Sequence, residues 1–147
     1  MKLKYWLKYL IHITILFSLT VLRGYIEKLF SASYYRFDNP AILYYAIISL
    51  LLGACIGLFL GLEHFIKEIG KIGIWKINLP KLILIGIPAL YFSVTNLLTI
   101  SSSQFIHEII AYPLLYLSGF GSGYVSIFQM ILGYVIITSF FKYSENV

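Results

Sequence analysis

The chain has 147 residues, of which 60% are hydrophobic and only 12% charged, and its formal net charge is +5. A water-soluble domain carries roughly a quarter charged residues. This composition therefore excludes a water-soluble domain and indicates an all-α integral membrane protein. The basic residues stand between apolar runs and form no patch. We therefore expect the lipid bilayer as a partner and no nucleic acid.

Four apolar stretches predict transmembrane helices, since a helix needs about 20 apolar residues to cross the hydrocarbon core. In chain order they cover about 5–22, 40–62, 82–100 and 124–141. The remaining loops are too short for a soluble domain. We therefore expect residues 1–147 to form a single polytopic membrane domain, a four-transmembrane-helix bundle.

The first stretch predicts an uncleaved anchor, because no small-residue cleavage site follows it closely; a cleaved signal peptide is the alternative. Arg23 and Glu27 follow at i,i+4 spacing, which suits a helix surface. We expect helix one to continue through them outside the membrane.

The distribution of lysine and arginine predicts the orientation. Eight of them lie in the N-terminal tail, in the loop between helices two and three, and in the C-terminal tail: Lys2, Lys4, Lys8, Lys67, Lys71, Lys76, Lys81 and Lys142. The opposite side has Arg23, Lys28 and Arg36. Because basic residues stay in the cytoplasm, we predict a multi-pass protein of the cell membrane with both termini inside (N-in/C-in).

Residues 104–120 contain a further apolar stretch, which Pro113 and the pair His107–Glu108 shorten. We expect an interfacial or re-entrant segment before helix four. The alternative is a fifth crossing, which would place the C-terminus outside.

Small residues recur every four positions in helix two, at Ser49, Gly53, Gly57 and Gly61. This spacing puts them on one stripe, where another helix backbone can approach closely. We expect a helix of the same chain to pack there. A second copy (a homo-oligomer) or another membrane protein are the alternatives.

Polar residues inside the predicted crossings are His12, Asn96 and Gln129, and no crossing contains an internal Asp or Glu. A proton- or cation-coupled carrier usually needs such a carboxylate. We expect Asn96 and Gln129 to join helices through hydrogen bonds. We interpret His12 as an interfacial residue, with a proton relay as the alternative.

Polar pairs also flank the apolar stretches. Glu63, His64 and Glu68 follow helix two, where His64 and Glu68 share one helical face, but two ligands do not complete a metal site. His107 and Glu108 begin HEIIA, which lacks the second histidine of a zinc-peptidase motif. No catalytic residue, metal site or cofactor is assigned.

Three classes of function fit this pattern. The first is a non-enzymatic subunit, regulator or assembly factor that acts through helix–helix association, as the stripe on helix two indicates. The second is a small oligomeric transporter or channel. The third is an interfacial enzyme on lipid or isoprenoid substrates, with one of the polar pairs as its acid–base group.

Overall fold

The computed structural model describes residues 2–34, 39–100, 103, 105–118 and 123–143, and the chain is mostly helical. The helices are α1 (Lys2–Tyr34), α2 (Asn39–Ile69), α3 (Leu79–Lys81), α4 (Ile87–Ser93), α5 (Thr95–Ile100), α6 (Tyr112–Ser118) and α7 (Gly123–Thr138). Two π-helical turns, Leu82–Gly86 and Ile106–Ala111, lie directly before α4 and α6. Strands β1 (Ile74–Ile77) and β2 (Phe140–Tyr143) pair with each other.

Two helices in the described part of the chain are long and apolar enough to cross a membrane, Tyr9–Leu29 within α1 and Pro40–Ile69 within α2. The first stretch runs past Arg23, whereas the sequence predicts a crossing that ends at residue 22. The reason is that apolar side chains resume after the arginine and the helix continues without a break. Two shorter apolar helical stretches, Leu79–Ser93 and Gly123–Thr138, lie in the other predicted crossings.

Helices α2 and α7 run parallel and touch through their backbones. A Cβ atom added at Gly57 would overlap the carbonyl group of Met130, and one added at Gly133 would overlap the carbonyl group of Ala54. Because each helix presents a glycine to the other, no side chain separates the two backbones at these points. This close approach suits helix packing in lipid, where dispersion contacts replace the hydrophobic effect.

Helix α1 runs antiparallel to α2. Near its start, the Tyr9 hydroxyl donates to the Glu63 carboxylate at 3.3 Å. Near its other end, the Tyr45 hydroxyl of α2 donates to the Glu27 carboxylate at 3.2 Å. Most described side chains of α1 are exposed or half-buried, and only 6% of its apolar stretch is buried.

The helical segment 79–100 is interrupted twice. Pro88 has no N–H for the carbonyl of Leu84 and its ring would clash there, and the π turn Leu82–Gly86 accommodates it. The second interruption is at Val94, whose φ of −91° and ψ of 8° are outside the α-helical region. The segment therefore consists of short helices joined by irregular turns.

The two strands form one end of the bundle, which we call the sheet end. They pair antiparallel, with Ile74 opposite Tyr143 and Ile77 opposite Phe140. The sequence predicts that helix four reaches residue 141, but α7 ends at Thr138 and residues 140–143 are extended. β-branched and aromatic residues in β1, and aromatic residues in β2, favour this pairing, which satisfies backbone groups beyond the helix ends.

Polar side chains hold α2 to β2 at the sheet end. The buried carboxylate of Glu68 accepts from the Lys71 ammonium group and, at 3.0 Å, from the backbone N–H of Lys142. The Lys142 ammonium group donates at 2.7 Å to the carbonyls of Ile69 and Lys71. It thereby satisfies carbonyls that the end of α2 leaves without helical partners.

Residues 105–118 form one helical segment that packs against the bundle at the end opposite the sheet. The Tyr91 hydroxyl donates to the Ile110 carbonyl at 2.7 Å, and the Tyr124 hydroxyl donates to the Leu114 carbonyl at 3.0 Å. Leu114 itself is fully buried. At 1.5 Å per residue the segment is about 20 Å long, shorter than the hydrocarbon core of about 30 Å.

We predict that Gly57→Leu strongly destabilises the bundle, because the new side chain would collide with the backbone carbonyl of Met130 on α7. Overpacking a core costs typically 1–3 kcal/mol, and we expect at least about 3 kcal/mol here. The measurement is the free energy of unfolding of the purified protein in detergent. Gly24→Leu is the matched control, since a Cβ at Gly24 meets nothing within 4 Å. Equal stability of the two variants would contradict the α2–α7 contact.

Candidate functional site: a buried arginine cluster

Arg23 is the centre of a polar cluster inside the bundle. Arg23 is only 6% exposed, and it is the one buried side chain among those of α1 that the structure describes. Its Nη2 atom lies 2.6 Å from the Ser126 hydroxyl and 2.7 Å from Gln129 Oε1, both on α7. The Ser49 hydroxyl of α2 is the third acceptor, at 3.3 Å. One guanidinium group therefore joins three helices.

Gly53 makes room for this cluster on α2. A Cβ atom there would come within 2.5 Å of the Gln129 Cβ and 2.8 Å of Arg23 Nη1. Any larger residue would push the guanidinium group or the glutamine away from α2. Ser49, one turn earlier, supplies a hydroxyl to the same space.

The interruption at Val94 supplies a further acceptor. In a continuous helix the Ser93 carbonyl would accept from the N–H of Leu97, but that N–H bonds to the Val94 carbonyl at 2.9 Å. The amide of Gln129 instead donates to the Ser93 carbonyl at 3.3 Å. Gln129, which is fully buried, therefore accepts from the arginine and donates to the broken helix. We call Arg23, Ser49, Ser93, Ser126 and Gln129 the arginine cluster.

The positive charge of the cluster has no acidic partner in the described part of the chain. The ion pairs found there lie near the end of α2, on Glu63 and Glu68, and none involves Arg23. Glu27 is one turn further along α1, and its carboxylate accepts from the Tyr45 hydroxyl. The Nη1 atom of Arg23 is buried and has no hydrogen-bond acceptor among the residues that the structure describes.

The structure brings part of the sequence-predicted residues together. Gln129, Ser49 and Gly53 meet in or beside the arginine cluster. Gly57 and Gly61 continue the same stripe along α7, against Met130 and Ile137. The whole stripe therefore faces a helix of the same chain.

The two other polar residues of the predicted crossings lie elsewhere. The His12 ring on α1 packs against the Phe59 ring of α2, with centroids 5.7 Å apart. Asn96 is half-buried on α5, and its side chain makes no hydrogen bond with the residues that the structure describes. Neither side chain is among the hydrogen-bond partners of Arg23 and Gln129 described above, and the predicted roles of His12 and Asn96 stay predictions.

The acidic and histidine pairs are remote from the cluster. Glu63, His64 and Glu68 are at the sheet end, where His64 Nε2 lies 3.9 Å from the Glu68 carboxylate. Glu108 is exposed on its π turn, and the His107 side chain lies outside the described residues. Arg36 also lies outside them. Among the residues described, no group of three His, Cys, Asp or Glu side chains could hold a metal ion.

Sequence reasoning missed Arg23 as a site residue because it treated the arginine as the end of the apolar stretch. The signal was present: Tyr25, Ile26 and Leu29 resume the apolar pattern after it. A 21-residue apolar stretch with the arginine inside would have made Arg23 an intramembrane charge. The contribution of the Ser93 carbonyl had no sequence signal, because it depends on a break in the backbone.

We predict that Gln129→Leu destabilises the protein by about 1.5–3 kcal/mol, because it removes a hydrogen bond to the buried charge of Arg23. The double variant Arg23→Met with Gln129→Leu removes that charge and should recover most of the loss. The free energy of unfolding in detergent, followed by tryptophan fluorescence, measures both. Asn96→Leu is the control and should change stability by less than about 1 kcal/mol. A double variant no more stable than Gln129→Leu would show that the charge does not dominate.

Comparison with family models, with curated proteins and with solved structures finds no match to this chain.

Proposed function

We propose that this chain is a multi-pass protein of the cell membrane, in which α1, α2, the segment 79–100 and α7 cross the bilayer. The supporting observation is the distribution of polarity. On α1, Ile13 is 66% and Phe17 is 70% exposed, whereas Arg23 is 6% exposed. Water would favour the opposite arrangement, with the charge outside and the apolar side chains inside. Lipid is the solvent in which apolar side chains can cover the outside.

The interior of the bundle is also unusually polar. The buried polar and charged residues of the described chain outnumber the buried apolar ones: they are Arg23, Ser49, Glu68, Ser93, Thr95, Gln129, Thr138 and Ser139. The buried apolar residues are Ala46, Ile56, Ala89, Leu114, Val125 and Val135. A protein that folds by withdrawing apolar surface from water has the reverse proportion.

Basic side chains at the sheet end support the N-in/C-in orientation. Lys71, Lys76, Lys81 and Lys142 all belong to this end, and α1 begins beside it through the contact of Tyr9 with α2. Lys76 and Lys142 also lie over the aromatic rings of Tyr143 and Trp75, at 3.8 and 5.2 Å from the ring centroids. Basic and aromatic residues together are typical of a cytoplasmic membrane interface.

Within this setting we propose transport or conduction of small solutes as the activity. The arginine cluster carries the proposal, because a charge buried in a membrane bundle is costly and usually marks a solute or ion pathway. The two interruptions of segment 79–100 add support, since broken helices in transporters expose backbone groups at substrate sites. Four helices enclose little space, so the working unit would be an oligomer.

Helix–helix association remains the second proposal, and it now depends on a different surface. The stripe on α2 is occupied by α7, which leaves it no room for a partner. Helix α1, by contrast, has most of its apolar surface unburied and could receive a partner helix. An interfacial enzyme has less support, because the arginine cluster contains no acid–base pair.

The orientation is tested by labelling single cysteines, in a background where Cys55 is replaced by serine. We expect a membrane-impermeant maleimide to label Ser103→Cys in intact cells, because residue 103 precedes the helical segment at the outer end. Lys71→Cys, at the sheet end, should be labelled only after permeabilisation. Labelling of both positions in intact cells, or of neither, would contradict the proposed topology.

Transport is tested with the purified protein in liposomes, by measuring fluxes of small anions, cations and neutral solutes. We expect flux above that of empty liposomes, and a loss of about tenfold or more in Arg23→Met, because one charge-assisted hydrogen bond contributes ~1.5–3 kcal/mol. Lys28→Gln, a charge change on the same helix, is the control and should keep the flux. Absence of every flux would refute the transport proposal.

A further inference from the structure

We propose that the arginine cluster binds a phosphate group, either free or carried by a lipid, through the guanidinium group of Arg23. This inference deepens the proposed transport function and depends on it for its place in the membrane. It starts from the charge. A guanidinium group stays protonated in proteins, and the partners of Arg23 in the described chain are neutral: Ser49, Ser126 and Gln129.

The count of hydrogen-bond donors points the same way. The guanidinium group has five N–H donors in a fixed fork. The Nη2 atom has three acceptors around it, while the neighbouring Nη1 atom is buried and has no acceptor within the described part of the chain. A buried donor without an acceptor destabilises the protein, and the free-energy cost is larger when the donor is charged than when it is neutral. An acceptor from outside the chain would remove this cost, and an anion would also balance the charge.

The neighbours of Arg23 indicate which anion fits. The arginine fork matches two oxygens of a carboxylate or a phosphate. Ser49 and Ser126 approach the fork from two different helices, and each hydroxyl can also donate. A phosphate group offers three strong acceptor oxygens, so it can use the fork and a hydroxyl together, which a halide cannot.

The site is closed in this conformation. Nη1 lies against Gly53, where even a Cβ atom would come within 2.8 Å of it, so a phosphate group needs α1 to move away from α2. Helix α1 is suited to that movement, because only 6% of its apolar stretch is buried. Arg23 is its one buried side chain among those described, and the movement would also break the hydrogen bond between Tyr45 and Glu27.

The test is equilibrium binding to the purified full-length protein in an uncharged detergent. Radiolabelled inorganic phosphate is one probe and a short-chain phosphatidic acid is the other. We expect saturable binding of at least one probe, weakened about tenfold or more in Arg23→Gln, because a charge-assisted fork is lost. Arg23→Lys keeps the charge without the fork, and its affinity should lie between that of the unchanged protein and that of Arg23→Gln. Chloride should compete poorly with the bound probe.

Lys28→Gln is the matched control, since it removes a positive charge from the same helix five positions further on. It should bind both probes as the unchanged protein does. Binding of phosphate alone identifies a free anion as the ligand, binding of phosphatidic acid alone identifies a lipid, and either supports the proposal. The proposal is overturned if the unchanged protein binds neither probe, or if Arg23→Gln binds the probe as tightly as the unchanged protein does.

Folding and function are kept apart in this design. A single symmetric peak in gel filtration and a helical circular dichroism spectrum would show that Arg23→Gln folds. If it does not fold, Ser126→Ala replaces it, and we expect a several-fold loss of affinity for the probe. Unchanged affinity in Ser126→Ala would then contradict the proposal. Phosphate binding without any flux in liposomes would refute transport and leave the binding site standing. Flux with no Arg23-dependent binding would refute the binding site alone.

Discussion

The structure depends on the position of one positive charge. Arg23 lies inside a bundle whose outer surface is largely apolar, and neutral oxygens from α2 and α7 surround its Nη2 atom. Burying an ion without an opposite charge is unfavourable unless dipoles of good geometry surround it. The hydroxyls and the amide must therefore be held at the arginine by helices that pack in one register, and this couples the order of the bundle to the cluster.

Two backbone features make that register available. Glycines on α2 and α7 let the two helix backbones touch, which brings Gln129 beside Gly53 and leaves space for the guanidinium group. The interruption at Val94 frees the Ser93 carbonyl, which holds the other side of the Gln129 amide. Neither feature involves a charged or catalytic residue, yet both decide where the polar groups of the cluster lie.

The two ends of the bundle are built differently. At the sheet end, β1 pairs with β2, and Lys142 satisfies the last carbonyls of α2, so helix ends and strands are held together by many hydrogen bonds. Towards the other end, α1 is held by the arginine cluster and by the bond between Tyr45 and Glu27. Among the described residues, one hydrogen bond of α1 lies near the sheet end, from Tyr9 to Glu63, so a movement of α1 away from α2 would break mainly the contacts of the arginine cluster and the bond between Tyr45 and Glu27.

The sequence by itself determined a mostly helical chain with stretches long and apolar enough to cross a membrane, because hydropathy and span length are local properties. It also placed small residues on one face of α2, since helical periodicity is local too. Only the tertiary structure decided that α7 occupies that face, that residues 140–143 form a strand, and that Arg23 is buried. These features depend on which segments meet across the chain, and a buried charge is recognised only when the groups that surround it are known.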